Sequence, residues 1–403
     1  MSERTDDPAP TLAATSPSIR TCLPPSGARA KRAPSFARDA AKVFPGWSLV
    51  VALVLLCVSG IHAADTAASA ADSTPALKRL LLDAALTGSH VVTVGEHGSI
   101  FRSEDNARTW RPAALPAEID ATLTALAFAS DSSSGWAVGH DALILATHDG
   151  GRSWTKQFQG ENINDPFLDV LALDAQRVFA VGAYGSFYQT ADGGQTWQRR
   201  KLGEDDYHFN RLTRGPTGSL YLAGEHGTLL RSTDHGGNWH PIPAPYEGSF
   251  YGVLPLGPRT LVAYGLRGHA FRSEDDGATW MPLAAPEPAL LATAIHLKTG
   301  PLVFAGQARA LFSGRATDGT LAAVPQPPTT AIAELLELSD GHLLAVGEAG
   351  ATVLEVGRVI PNAPPQETRT PAGAAPSEPS AKAAPSAPPA STTPAAAPAP
   401  PAR

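Results

Sequence analysis

A seven-bladed β-propeller of four-stranded antiparallel blades is the fold this sequence predicts, on three observations. Glycine closes an apolar, β-rich segment (VVTVG, GWAVG, VFAVG, LYLAG, LLAVG and their kin) at Gly95, Gly139, Gly182, Gly224, Gly265, Gly306 and Gly347, at intervals of 44, 43, 42, 41, 41 and 41 residues. Tryptophan keeps the same beat at Trp110, Trp154, Trp197, Trp239 and Trp280. Each unit also reads as four short strands, which is one propeller blade, and a blade has an apolar face that only its neighbour can cover.

Within a unit the order is an alternating strand, the VxxVG strand, a tight turn, a second alternating strand (SIFRS, LILAT, SFYQT, TLLRS, HAFRS), a polar hairpin and a Trp-led strand. The hairpin follows S/T-x-D-x-G-x-T/S-W, as in TxDGGxSW at 147–154, TxDGGxTW at 190–197 and SxDDGxTW at 273–280. Asp105, Asp149, Asp192, Asp234 and Asp275 are expected to accept backbone N–H groups of their own turns, with glycine supplying positive φ. Each following Trp is expected to fill space between blades. These are structural residues, although they resemble a row of catalytic carboxylates.

The pattern resembles the Asp-box, or bacterial neuraminidase, repeat. More narrowly, VGxxGxI…S/TxDxGxTW over residues 78–360 is similar to the propeller of the photosystem II stability and assembly factor of plants and cyanobacteria. That resemblance implies a non-catalytic exported protein that acts on a membrane-protein complex, and an arginine-rich patch facing the partner, which no residue-by-residue match locates here. Three departures stand out. Ala107 replaces the box glycine in the first unit, the sixth has only SGRATDGT, and the seventh has Asn at position 362 where a Trp would stand. The outer strand that closes the ring is therefore either residues 357–362 or the residues just before Leu80.

The ends of the chain differ from the repeat. Residues 1–46 are basic (Arg20, Arg29, Lys31, Arg32, Arg38, Lys42), and an uncharged apolar run from Trp47 to Ile61 leads to Ala63 and Ala64. That order reads as a leader and export signal over 1–64, cleaved after Ala63 or Ala64, because the run is shorter than the ~20 residues of a membrane span. Residues 361–403 hold 13 prolines among Ala, Ser and Thr and read as a disordered tail. The predicted location is the periplasm.

Charge and cysteine narrow the chemistry. The first 63 residues hold seven Lys/Arg against four Asp/Glu, so of the net charge of −7 the remainder carries −10, which argues against nucleic acid and anionic lipid as partners. Cys22 and Cys57 both lie in the leader, so the propeller has no thiol, disulfide or cysteine-based metal site. No cofactor, metal or catalytic residue is assigned, and a monomer is expected.

Strand-connecting loops alternate between the two faces of a propeller, so the VGxxG turns share a face with the connectors between blades, taken as 157–168, 199–210 and 241–252. Loops on a rigid scaffold are the usual place for recognition. The candidate partner-binding residues are Glu96, His97, His140, Asp141, Tyr184, Glu225, His226 and Arg267 from the turns with Tyr207 and Tyr251 from the connectors; Phe158, Asn164, Asp165, Asp205 and Asp206 accompany them. Glu96/His97 and Glu225/His226 repeat one GEHG, which fits duplicated turn chemistry better than a metal site. Arg102, Arg231 and Arg272 recur at one strand position, as a basic stripe or as residues paired with local acids. The alternative class is a sialidase-like glycoside hydrolase or a glycan-binding propeller. The Arg-Ile-Pro signature of sialidases is absent, and no carboxylate pair stands out as the two a glycosidase needs.

Overall fold

The computed structural model describes residues 77–325 and 328–360; the predicted leader, signal and tail lie outside them. Among the described residues twenty-seven strands, numbered here in chain order, form seven antiparallel sheets: six have four strands and the seventh has three. Blade one is β1 (Leu81–Thr87), β2 (His90–Gly95), β3 (Ile100–Ser103) and β4 (Arg111–Pro112). Blade seven is β25 (Ile332–Glu337), β26 (Leu343–Gly347) and β27 (Gly350–Leu354). No helix among the described residues is long and apolar enough to cross a membrane.

The innermost strands β1, β5 (Leu123–Phe128), β9 (Phe167–Ala172), β13 (Phe209–Arg214), β17 (Phe250–Pro255), β21 (Leu291–His296) and β25 adjoin one another around the ring. All seven carry a register shift at the same place, between Leu81 and Asp83 in β1 and at its counterparts elsewhere. The repeated glycine explains it. A Cβ on Gly95, Gly139 or Gly182 would sit 2.1 Å from the carbonyl oxygen of Leu80, Thr122 or Pro166. That same oxygen accepts the next residue's N–H, from Glu96 (3.2 Å), His140 (2.9 Å) and Ala183 (3.0 Å). Glycine is needed here for close backbone approach at a bulge, which is a different use from a turn with positive φ.

The Trp-led strands pack each blade on the one before it. Trp110 and Trp154 are buried, Trp110 against Leu338, Leu344 and Val346 of blade seven and Trp154 against Val92, Val94 and Ile100 of blade one. Trp197, Trp239 and Trp280 occupy the same place half-buried, because their outer edges face solvent. Blade seven has no such Trp. A helical turn, α1 (Val356–Val359), brings Val359, with Val356 and Ile360, into the corresponding gap between blades six and seven. Residues 357–359 are thus helical, which corrects the expectation of a closing strand from 357 onward.

The ring is joined from blade seven to blade one by the Leu338/Leu344/Val346–Trp110 cluster, by Ser339 Oγ to Asn106 Oδ1 at 2.8 Å, and by an ion pair between Arg108 and Asp340 at 3.7 Å. The N–H of Ala351 on β27 also donates to the carbonyl of Leu77 at 3.2 Å.

Candidate partner-binding face

In six blades the second and third strands are joined by a tight turn whose two central residues both have positive φ. His97 and Gly98 stand at 51° and 59°, and Asp141 and Ala142 at 59° and 51°. The turn is closed by a backbone bond such as Ser99 N–H to Glu96 O at 3.0 Å. This is the two-residue hairpin turn that follows strand twist, and its second residue is usually glycine. The first is a side-chain-bearing residue, His97, Asp141, Tyr184, His226, Arg267 or Ala308, held in the left-handed region at a cost of about 1–2 kcal/mol each. Side chains at His97, Asp141, Tyr184, His226 and Arg267 are exposed on the turn tips.

The connectors fold back over these tips. The N–H groups of Gly98, Gly185 and Gly227 donate to the carbonyls of Ala121, Tyr207 and Gly248 at 3.0, 2.9 and 2.9 Å. The Tyr207 ring therefore stacks on His226 of the next blade, with centroids 4.4 Å apart. Tyr184 meets the edge of His208 at 4.9 Å, and His208 Nδ1 lies 3.3 Å from Glu225. Burial lowers the pKa of His208 even though Glu225 acts in the other direction. Tyr246 stacks on His269 at 4.2 Å. Separate aromatic–imidazole pairs thus recur on the turns of blades three, four and five.

The other predicted residues divide. Glu96 and Glu225 turn back and accept the N–H of Leu80 and His208, each at 3.2 Å, fixing the entry of the inner strand; Glu348, exposed and not among the predicted residues, does the same for Ala331 at 3.2 Å. His97 reaches Asp120 at 3.1 Å. His140 is partly buried, which lowers its pKa. Tyr251 is not a connector residue: it lies on β17, half-buried against the core between blades five and six, and burial pushes its pKa up to about 12. Phe158 likewise belongs to a strand, β8 (Thr155–Gln159), where it meets Tyr188 (5.4 Å) and Trp197 (6.2 Å). Those three rings floor a cleft of about 420 Å³ rimmed by Glu161, Asp165 and Arg199. Asp165 bonds Asn162 at 2.7 Å. Among the described residues no group of three or more His, Cys, Asp or Glu is placed to hold a metal ion.

On the Asp-box hairpins the carboxylates are consumed locally. Asp149 Oδ1 accepts the N–H groups of Arg152 (2.9 Å) and Ser153 (3.0 Å), and Oδ2 accepts the Ser153 hydroxyl (2.6 Å). Thr147 donates to Asp149 and accepts the Gly151 N–H at 3.1 Å. These bonds outweigh partial burial and hold Asp149 at about 2; the same pattern holds Asp192 and Asp275 at about 2. Arg102 pairs with Glu104, Arg231 with Asp276 and Arg272 with Glu274, so the arginine stripe is locally neutralised.

A polar network on the propeller axis went unseen in the sequence. Asp83, Asp169, Arg211, Thr293 and Glu334 stand at equivalent positions of five inner strands, just past each bulge. Asp83 accepts the Leu126 N–H of blade two (2.8 Å), and Asp169 the Leu212 N–H of blade four (2.6 Å). Arg211 crosses from blade four to Glu334 of blade seven at 2.7 Å, and Glu334 also takes the Thr293 hydroxyl of blade six. Burial raises both aspartates, Asp169 to about 6 with Arg211 opposing the shift, and Asp83 well above the ordinary range with Glu334 adding to it. The signal for the two aspartates is one charge inside an otherwise largely apolar inner strand, as in LLDAALT and FLDVLA, whereas Glu334 shares IAELLE with Glu337.

Fold and turns together define an Asp-box propeller of seven blades. The model of the family described as Photosynthesis system II assembly factor YCF48 matches residues 74–162 and 157–350, and the chain belongs to that family. Among solved structures, YCF48 bound to D1 peptide is similar at 20% identity and a TM-score of 0.56, over 70% of this chain and 96% of that one. YCF48 from Cyanidioschyzon merolae is similar at 14% identity and a TM-score of 0.58, over 70% and 97%. The WD40 propeller domain of Doa1 is similar at 12% and 0.56, over 70% and 95%, a likeness of fold. No curated protein sequence matches the chain.

Proposed function

We propose that this chain is an exported, non-catalytic assembly or stability factor for a membrane-protein complex, and that it holds an exposed peptide segment of its partner on the turn-and-connector face. The observation that carries the reading is the family match, which spans the propeller from residue 74 to residue 350. A YCF48 has been solved with a D1 peptide bound, which makes a peptide the natural class of ligand. The face supports this role: Tyr184, Tyr207 and His226 stand on rigid turns and folded-back connectors, and aromatic anchors on a preorganised surface are what peptide recognition uses. The Asp-box carboxylates are committed to their own turns, and the axial acids to neighbouring strands, so neither set is placed to act on a substrate. Export rests on the leader composition alone.

The test is genetic and quantitative. Deleting the chain in its host should lower the steady-state level of one integral-membrane complex while transcript levels stay constant, and the wild-type chain should restore it. An unchanged membrane proteome contradicts the reading.

A further inference from the structure

We infer that the cleft between blades two and three takes the cationic side chain of an arginine or lysine in the bound peptide. The inference deepens the peptide reading above and rests on it. The cleft opens beside the turn tips of both blades, with Ala142 and Ser186 in its wall. It is not a copy of the repeat. In the other four-stranded blades the outer strand has two residues: β4, β12 (Gln198–Arg199), β16 (His240–Pro241), β20 (Met281–Pro282) and β24 (Ala322–Ala323). In blade two β8 has five, because a register shift between Ile144 and Leu145 lets it run on beside β7 (Leu143–Thr147), with Phe158 opposite Ile144. That extension carries the Phe158 ring to blade three, and the connector after it brings Glu161 and Asp165 to the rim.

Propeller packing does not call for the groups gathered here. Tyr188 lies on β11 (Phe187–Thr190), opposite Ala180, and in the other four-stranded blades the equivalent residues are Phe101, Leu145, Leu230, Phe271 and Phe312, none with a hydroxyl. Phe158, Tyr188 and Trp197 are all half-buried, so each keeps ring surface open. Phe158 is inclined to Tyr188 by 55° and to Trp197 by 43°, which makes a faceted cradle and not a flat stack. Ring faces are negative and attract cations, arginine most often. The rim adds two carboxylates against one guanidinium. Glu161 is exposed and makes no ion pair among the described residues, and Asp165 accepts from Asn162 at 2.7 Å. All three charges reach the same ring: burial raises the Tyr188 pKa, Arg199 opposes the shift, and Glu161 and Asp165 add to it. The volume, about 420 Å³, lies in the range of ligand pockets, roughly 300–1,000 Å³. An anion would face two carboxylates and three π faces, whereas a planar guanidinium can stack on a ring and donate to a carboxylate together. Arg199 is the one group that opposes such a ligand, which gives the test its sign.

The test uses the full chain, isotope-labelled at its tryptophan indoles, with three blocked tripeptides as probes: glycine-arginine-glycine and its glutamine and glutamate counterparts. The Trp197 indole N–H, which donates to Gln157 at 3.3 Å, is the reporter. The arginine tripeptide should shift its resonance saturably, and the other two should not at equal concentration. Glu161→Gln with Asp165→Asn should weaken that binding at least fivefold, and Arg199→Ala should tighten it at least twofold. No saturable shift, equal shifts from the arginine and glutamine probes, or weaker binding by Arg199→Ala overturns the inference. A response to maltotriose without one to the arginine probe assigns the cleft to a glycan and overturns it too. Capture of a membrane complex by wild type with no arginine response sinks this inference and leaves the assembly role standing; an arginine response without capture supports the cleft and counts against the assembly role.

Discussion

Replacing Arg211 by Met removes the one cation of the axial network and leaves Asp83, Asp169 and Glu334 buried near one another. Removing one member of a buried ion pair costs about 3–5 kcal/mol, because the other charge stays desolvated. The loss should depend on pH with a definite sign. The folded-state pKa of Asp169 is raised from 3.8 to about 6, so its neutral form favours the fold. That contribution is fully present below pH 3.8 and is lost as pH rises through 6. Arg211 counts most where these acids are ionised, so Arg211→Met should cost about 3–5 kcal/mol at pH 8 and about half as much at pH 5. Urea unfolding at both pH values measures it. Arg211→Met combined with Glu334→Leu should recover much of the loss at pH 8, since an apolar pair of similar volume often equals a buried ion pair. Equal losses at both pH values, or a double variant as unstable as the single, would refute the reasoning.

Three further outcomes follow from the same geometry. Gly182→Ala places a Cβ 2.1 Å from Pro166 O and should cost more than about 3 kcal/mol, whereas Gly203→Ala, with nothing within 4 Å, should stay within about 0.5 kcal/mol; thermal melts compare them. Trp154→Ala, at a buried ring, should cost about 3–5 kcal/mol, and Trp280→Ala, half-exposed, clearly less. The Asp-box carboxylates are held below 3.8, so the stability they add is present above pH 3.8 and lost as pH falls towards 2. Asp149→Asn should flatten that acid limb of the stability profile and speed hydrogen exchange at Ser153.

The blades, their number and the Asp-box hairpins were legible because a repeat copies its structural devices: the same Gly, Asp and Trp recur wherever the same backbone contact must be made. Residue roles that depend on where a strand begins were less legible. Tyr251 and Phe158 read as connector residues because the flanking segments are irregular in length, and the outer strands of blades are short, from two residues in β4 to five in β8. Glu96 and Glu225 read as candidate partner-binding residues, yet they bond backbone at the strand entries, a contact that only the bulge geometry reveals. The axial network escaped because no repeat copies it: the same inner-strand position holds Asp83, Asp169, Arg211, Thr293 and Glu334 in five blades. Asp83 and Asp169 find their partners on an adjacent blade, and Arg211 and Glu334 meet across an interval of 123 residues.

The central claim is that the turn-and-connector face binds the partner, and capture from crosslinked host membranes tests it most directly. Wild type should enrich one integral-membrane complex. Tyr207→Ala with His226→Ala, which removes a stacked pair from that face, should lose at least nine-tenths of the capture with little change in melting temperature. His148→Ala with Gln195→Ala, on exposed Asp-box hairpins, should capture as wild type does. Undiminished capture by the first variant, or loss confined to the second, would contradict the account.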